Sequence, residues 1–429
     1  MKKLISSIKG TRDFYPEDMA IRNWLYGVMR RVSESFGYQE YEGPFLESLE
    51  LYAAKSGDEL VREQSYVFRD RGGDMVTLRP ELTPTLVRMI AQRQQQLTYP
   101  LRWWSWGPFW RYERPQKGRA REFFQWNIDL IGVASPEADA EIVATLATFF
   151  NLVGLTPNQV TIKINNRRLM NAQMEKLGIP TERWGAVSQL IDRQDKMQAA
   201  EWDAYAKDLG LNPSQLSGLK AVLQNYELWQ ESEELIGFFK AAQALSIQEY
   251  LTYDPRIMRG LAYYTGTVFE AWAITCEFHR AILGGGRYDN LMAAVGGEPL
   301  PGVGYAMGDM VITLLLKELG LIPGKEALPS PQIMVTVFDK DHLPASLSLA
   351  TELRRAGLKV ISYPEIAKLP RQFRYADRIG VRLTLVVGPD EVANGRVTIK
   401  DLSTGNQQAV ARKEVASAIR KILESPQAS

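Results

Sequence analysis

The chain has 429 residues, 45% of them apolar and 24% charged, with ten tryptophans and a formal net charge of +1. This composition excludes a disordered chain, the length predicts roughly three domains, and the near-neutral balance excludes a surface that seeks polyanions over its whole extent. One cysteine, Cys276, leaves no internal disulfide and fits a reducing compartment, while two distant histidines, His279 and His342, argue against a structural zinc site or a Ser-His-Asp hydrolase. The first residues, MKKLISSIKGTRDFYP, lack the apolar run of a signal peptide, and no stretch approaches ~18 uninterrupted apolar residues. A soluble, cytoplasmic protein without membrane contact is therefore expected.

Residues 1–164 mix helical and strand signals, with turns at Phe36-Gly37 and at Arg71-Gly72-Gly73-Asp74. The most informative stretch lies here, WRYERPQKGRAREFFQWNID at 110–129. Phe109, Arg111 and Glu113 share one face of a predicted strand, with Trp110 and Tyr112 on the other. Downstream, Gln125, Asn127 and Asp129 alternate with Phe124, Trp126, Ile128 and Leu130. Successive strand side chains point to opposite faces, so the pattern predicts two strands joined by a basic loop holding Arg114, Lys117, Arg119 and Arg121. Arginines and a carboxylate on one face, beside a cationic loop, suit an anionic, phosphate-bearing ligand. The alternative is a hairpin with a solvated charged turn.

Residues 165–250 change character. WGAVSQLIDRQDKMQAAEWDAYAKDLG has helical spacing and no β-branched run, which predicts a helical insertion within a sheet domain. Sheet signals resume over 251–322 with RGLAYYTGTVFEAW and ILGGGRYD, and LIPGKEALPSP gives a linker at 323–330. From 331 to 429, IMVTVF, KVISY and LTLVVG alternate with helical segments, as in an α/β unit with parallel strands. This segment carries 15 basic and 10 acidic residues, a net +5 against −4 for the remainder. Arg354, Arg355, Lys359, Lys368, Arg371, Arg374, Arg378 and Arg382 concentrate the charge. Either a nucleic-acid module or an ordinary solvated face accounts for it.

Together these segments resemble the histidyl-tRNA synthetase family of class II aminoacyl-tRNA synthetases over nearly the whole chain. KGTRDFYP (9–16) is similar to the family's N-terminal segment, YQEYEGPFLES (38–48) to the class II dimer-forming motif, and TLRPELTPTLVR (77–88) to the segment approaching the amino-acid pocket. The stretch 110–129 resembles the second class II motif. RGLAYYTGTVFE (259–270) and GGGRYD (284–289) resemble the two histidine-specific segments, and KLPRQFRYADRIG with GPDEVANGRVTIKDL resembles the anticodon-binding domain. The resemblance implies an α+β fold: a mixed, mainly antiparallel class II sheet with helices, a helical insertion and a C-terminal α/β anticodon-binding domain. It also implies a homodimer that joins histidine to tRNA(His) through histidyl-adenylate, with ATP as substrate and Mg²⁺ accompanying it. No protein-bound structural metal is expected.

The same resemblance assigns roles. Arg111 and Arg259 would be catalytic, holding the α-phosphate from opposite sides. Glu113 would accept from the adenine amino group and Phe123 would stack on the ring. Glu81, Thr83, Gln125, Asp129, Arg259, Tyr263 and Tyr264 would bind histidine, and Arg114, Lys117, Arg119 and Arg121 would meet the tRNA acceptor end. A substrate carboxylate is already ionised at neutral pH, so the first step needs positioned cations rather than a general base.

The chain departs from the family pattern twice. Aligning PGVGYAMGDMVI (301–312) on the third class II motif puts Val311 where an arginine covers adenine, and Ala262 stands where an acidic residue usually precedes the tyrosine pair. These departures admit a second reading, a catalytically silent paralogue serving as regulatory subunit of ATP phosphoribosyltransferase. That paralogue lacks the anticodon-binding domain and has an eroded second motif, whereas RPQKGR is intact here. A non-catalytic RNA-binding protein would leave the polar set Glu81, Gln125, Asp129 and Arg259 without a purpose.

Overall fold

The computed structural model describes residues 4–53, 64–258, 263–275, 281–290, 292–324 and 332–424. Arg259, Ala262, Cys276, His279 and most of the linker at 323–330 lie outside the described residues. The chain divides into two compact units, 1–322 and 323–429.

The first unit opens with the helix Pro16–Ser35, started by Pro16 with Glu17 and Asp18 in its first turn, where carboxylates favour the positive end of the helix dipole. Its strands, in chain order, are β1 (Gln39–Glu40), β2 (Leu46–Ser48), β3 (Tyr66–Arg69), β4 (Met75–Leu78), β5 (Leu101–Trp110), β6 (Glu122–Ile131), β7 (Val160–Asn166), β8 (Leu251–Tyr253), β9 (Thr267–Ala273), β10 (Ala281–Arg287) and β11 (Gly302–Gly308). Eight of them form one sheet in the order β1-β5-β6-β11-β10-β9-β7-β8, and β2-β4-β3 form a small second sheet. In the large sheet only β1–β5 and β7–β8 are parallel pairs. It is mixed and mainly antiparallel, as the family resemblance implies.

The alternation along β6 explains how the sheet sits. Phe124, Trp126, Ile128 and Leu130 are buried on the helix-covered face. Trp126 packs on Phe149 of the helix Pro136–Leu152 and donates its indole N–H to Ser33 Oγ at 3.1 Å on the first helix. Fully burying a large apolar side chain contributes about 1.5–3 kcal/mol, so this face anchors the sheet and leaves the opposite face for Gln125 and Asp129.

Between β7 and β8 the chain forms the helices Arg167–Lys176, Trp184–Asp192, Ala199–Asp208, Pro213–Gln224 and Glu233–Ala244. Their starts carry recognisable caps. Asn212 accepts from Gln215 N at 2.9 Å while the Gln215 side chain accepts from Asn212 N at 3.0 Å, and Pro213 occupies the first turn. Leu216, Leu219 and Leu223, then Leu235, Phe238 and Ala242, bury the i, i+3, i+7 stripe that helical spacing demands.

One ion pair fastens the large sheet to its helices. Arg287, at the end of β10, donates to Asp139 Oδ1 from Nη2 at 2.6 Å and to Val133 O at 2.9 Å, and both side chains of the pair are buried. Removing one partner would leave an uncompensated buried charge. Arg287→Met is therefore expected to lower stability by about 3–5 kcal/mol, measurable as the denaturant midpoint at constant m-value.

The second unit has its own core and a five-stranded sheet of β12 (Ile333–Val335), β13 (Val360–Ser362), β14 (Leu383–Val386), β15 (Arg396–Asp401) and β16 (Gln407–Ala411), ordered β13-β12-β14-β15-β16. The first three strands are parallel, through the helices Leu343–Arg355 and Leu369–Arg378. This is the arrangement expected of IMVTVF, KVISY and LTLVVG; β15 and β16, outside that expectation, add two antiparallel strands. The connection between β15 and β16, turning at Gly405 with φ +74°, is too short for a crossover and can only make a hairpin.

Candidate active site

β5 and β6 pair from Leu101↔Ile131 to Trp110↔Glu122, so the polar face of β6 runs along the middle of the sheet. At one end of that face lies a cavity of about 200 Å³ lined by residues including Glu81, Thr83, Arg111, Gln125, Asn127, Asp129, Tyr263, Tyr264 and Tyr288. Of the residues expected to bind histidine, the structure brings Glu81, Thr83, Gln125, Asp129, Tyr263 and Tyr264 together here. Arg259 lies outside the described residues. Glu81 comes from the turn leading into the helix Thr83–Arg93, which Thr83 opens, and Tyr263 OH donates to Glu81 Oε2 at 3.4 Å. The rings of Tyr263 and Tyr264 lie 4.9 Å apart, Tyr264 packing into a core cluster while still facing the cavity.

Among the described residues Asp129 is, with Glu81, one of two buried carboxylates lining the cavity. It is buried and accepts from Tyr288 OH. Burial raises its carboxyl to about 7, with the Tyr288 hydrogen bond pulling the other way. β11 runs beside it as the antiparallel neighbour of β6. Gly304 pairs with Asp129, and a Cβ at 304 would lie 2.2 Å from Asp129 Oδ1, so only glycine admits the carboxylate. Tyr288 was not nominated from the sequence, although it stands in the GGGRYD segment.

Arg111 lies just beyond the end of β5 and not within the strand. Its backbone N–H still donates to Arg121 O at 2.9 Å, which prolongs the pairing, and its Nε donates to Pro80 O at 3.0 Å. This bond fixes the guanidinium beside the turn that carries Glu81. Arg111 also lines a second cavity of about 150 Å³ with Glu113, Gly118, Arg119, Phe123, Asp309, Met310 and Val311 among its walls. Its guanidinium carbon sits 5.4 Å from the Phe123 ring centre. A single fixed cation thus joins a polar pocket to a flat slot walled by an aromatic ring.

In that slot Glu113 accepts from Arg119 Nη1 at 3.1 Å. Val311 takes the side of Gly118, where a Cβ would be 3.3 Å from Val311 Cγ2. Asp309 is committed elsewhere, accepting from Phe124 N at 3.0 Å and from Arg12 Nη2 at 2.8 Å. In the connecting loop Arg114, Lys117 and Arg119 are exposed. Arg121 folds back against the N-terminal segment: its N–H donates to Gly10 O at 2.8 Å and its guanidinium covers the Tyr112 ring at 4.1 Å.

Arg79 was also missed. It is fully buried, between the rings of Phe45 and Phe109, donating from Nε to Pro108 O at 3.0 Å and from Nη1 to Glu42 Oε1 at 2.5 Å. Gly107 leaves the room, since a Cβ there would meet Arg79 Nη2 at 2.2 Å. Arg79 precedes Pro80 and Glu81, so it anchors the turn on which both cavities depend.

The sequence profile of histidyl-tRNA synthetase matches residues 10–310, and that of the anticodon binding domain matches residues 332–422. The histidine–tRNA ligase, chloroplastic/mitochondrial, of Arabidopsis thaliana is 39% identical over 414 residues, covering 93% of this chain and 83% of that protein. The chain belongs to the histidyl-tRNA synthetase family. The histidyl-tRNA synthetase of Nostoc sp. PCC 7120 superposes with a TM-score of 0.84 at 28% identity, over 98% of this chain and 100% of that one. A Bacillus halodurans C protein described as an ATP phosphoribosyltransferase regulatory subunit/histidyl-tRNA synthetase shares the fold, with a TM-score of 0.74 at 20% identity over 90% of this chain and 100% of that one.

In this member of the histidyl-tRNA synthetase family, the second unit offers a basic face of its own. Arg371, Arg374, Tyr375 and Arg378 of the helix Leu369–Arg378 line a cleft of about 400 Å³ with Tyr363. Among the described residues there is no cluster of three or more metal-ligating side chains, and no helix is long and apolar enough to cross a membrane.

Proposed function

We propose that this chain activates histidine with ATP and transfers it to the 3′ end of tRNA(His). The observation that carries this reading is the position of Arg111, which borders both cavities at once. The smaller, aromatic-walled slot fits adenosine, with Phe123 stacking and Glu113 accepting from the amino group in exchange for Arg119. The polar cavity fits histidine. Glu81 and Gln125 would take the amino end, Thr83 would support it, and Asp129, Tyr263 and Tyr264 would read the ring. The carboxylate and α-phosphate then meet at Arg111, where a preorganised cation stabilises charge developing at phosphorus without rearranging.

Mg²⁺ would enter with ATP, held chiefly by phosphates and water, and would supply charge neutralisation. Of the two carboxylates lining the slot among the described residues, Asp309 is held by Arg12 and Phe124 N, which leaves Glu113 facing the base. Val311 supplies an apolar contact in place of a guanidinium, so Arg111 and Arg259 are the arginines proposed at the α-phosphate. Arg259→Ala is expected to abolish histidine-dependent pyrophosphate exchange while leaving histidine binding within about threefold; surviving exchange would overturn its role.

The exposed cations Arg114, Lys117 and Arg119 would meet the acceptor end, with Arg121 bracing the loop from behind. The face around Arg374 and Tyr375 would meet the anticodon stem, phosphate contacts positioning the RNA without reading it. A homodimer through the segment 38–48, in the cytoplasm, completes the proposal. The silent regulatory reading is disfavoured by the anticodon-domain match and by the intact Arg111–Glu113–Phe123 set. Charging of total tRNA with labelled histidine tests the function. Charging supports it, and folded protein that binds histidine but charges no tRNA would favour the regulatory reading.

A further inference from the structure

The histidine pocket draws its tyrosines from two segments distant in sequence, 263–265 and 288–289. One carboxylate joins them. Asp289 immediately follows Tyr288, the residue that donates to Asp129. Its Oδ2 accepts from Thr265 Oγ1 at 2.9 Å, directly after Tyr264, and its Oδ1 accepts from Arg287 Nη1 at 3.1 Å. The Asp289 N–H also approaches Thr265 Oγ1 at 3.1 Å, and Thr265 N–H donates to Arg287 O at 2.8 Å.

A third donor reaches Asp289 Oδ2 from outside the sheet. Arg168 Nη2, on the first helix of the insertion, lies 2.7 Å away, while its Nη1 donates to Glu234 Oε1 on the last helix of the insertion. Glu234 Oε2 in turn accepts from Asn166 Nδ2 at 2.6 Å, and Asn166 caps the helix that carries Arg168. The neighbouring residues hold the same region by backbone. Arg167 N–H donates to Gly266 O at 2.9 Å, and Asn165 Nδ2 donates to Pro255 O and Ile257 O, both at 3.0 Å. The junction 165–168, where the insertion leaves the sheet, therefore grips the chain just before the histidine-specific segment 259–270 and again within it, at Gly266.

We propose that Arg168 is a positioning residue for the histidine pocket, bridging Glu234 of the helical insertion to Asp289 and so setting the tyrosine segments by the placement of the insertion. This rests on the reading of the polar cavity as the histidine site. A guanidinium can divide its two Nη groups between two carboxylates in fixed directions, which an ammonium cannot reproduce. None of Arg168, Glu234 or Asp289 lines the cavity, so an effect on histidine must travel through Thr265 and Tyr288.

The test is histidine titration calorimetry on the full chain, paired with the ATP KM in pyrophosphate exchange. Arg168 is 52% exposed, so its variants are expected to fold. Arg168→Met should weaken histidine binding about tenfold, with Arg168→Lys intermediate, and Glu234→Gln about threefold, while the ATP KM stays within about twofold. A merely structural ion pair would lower melting and move both substrates together, which would overturn the proposal. Histidine affinity unchanged in Arg168→Met would overturn it too, and unchanged affinity in Glu234→Gln alone would overturn the part assigned to the last helix of the insertion. If the unaltered protein does not bind histidine, the functional reading itself fails. If it binds and all three variants bind equally, only the positioning role fails.

Discussion

Replacing Arg111 by alanine is expected to slow adenylate formation by about 10²–10³-fold, the usual consequence of removing one preorganised charge from a reacting centre. Histidine affinity should change by less than about fivefold, because the ring and amino groups of the substrate have other partners. The prediction depends on two features. Arg111 borders both cavities, and its Nε is spent on Pro80 O at 3.0 Å, so the Nη groups are aimed and cannot drift. Arg111→Lys should recover little of the rate, since an ammonium lacks the planar fork that holds Pro80 O with one nitrogen and aims the others in fixed directions. Single-turnover measurement of adenylate formation separates this from a binding defect. A rate within about threefold of the unaltered protein would remove Arg111 from the reacting centre.

Asp129→Asn is expected to separate stability from function. The folded carboxyl titrates at about 7, against an ordinary value of 3.8. Between those values the folded protein holds a proton that the unfolded chain has released. Stability contributed at this site therefore falls as pH rises from about 4 to about 7, and the buried charge keeps its full cost above that. Asparagine carries no such cost and can still accept from Tyr288. The variant should melt no lower than the unaltered protein at pH 8, with its relative advantage shrinking toward pH 5. Histidine binding should nevertheless weaken by about 10–100-fold, because a neutral amide replaces the carboxylate facing the ring N–H. The pH profile follows from the same proton. Free imidazole titrates near ~6.5, so below about pH 6.5 both ring and carboxyl are protonated, and seating the neutral ring against the carboxylate releases both protons. Affinity should rise with pH to about 7 and then level off. In Asp129→Asn the step belonging to the carboxyl should vanish. Lower melting at pH 8 together with unchanged histidine affinity would contradict the assignment.

The parts of the site that the sequence exposes are those built on one strand. Period-two alternation places Gln125 and Asp129 opposite Trp126 and Ile128 whatever the tertiary arrangement, and the structure keeps them so. Arg111 and Glu113 are less regular. The strand ends at Trp110, and the guanidinium is oriented by Pro80 O on a different element, which no local pattern encodes. Tyr288 meets Asp129 across 159 positions, and Arg79 meets Glu42 across 37. Such contacts depend on strand order, and strand order is not periodic. Glycine offered the available signal. Gly304 and Gly107 mark where Asp129 and Arg79 need the space of a missing Cβ, yet a glycine run reads equally as a loop until the facing strand is known. The mixed character of the C-terminal sheet has the same origin, because the length of the turn at Gly405, not strand composition, decides the direction of β16.

The central claim is that the two cavities meeting at Arg111 hold histidine and ATP for reaction with each other. Pyrophosphate–ATP exchange on the purified full chain, run separately with each of the standard amino acids, tests it most directly. The account predicts exchange that depends on histidine and is absent with the others. Exchange driven by another amino acid, or none with any of them from folded protein, would contradict it.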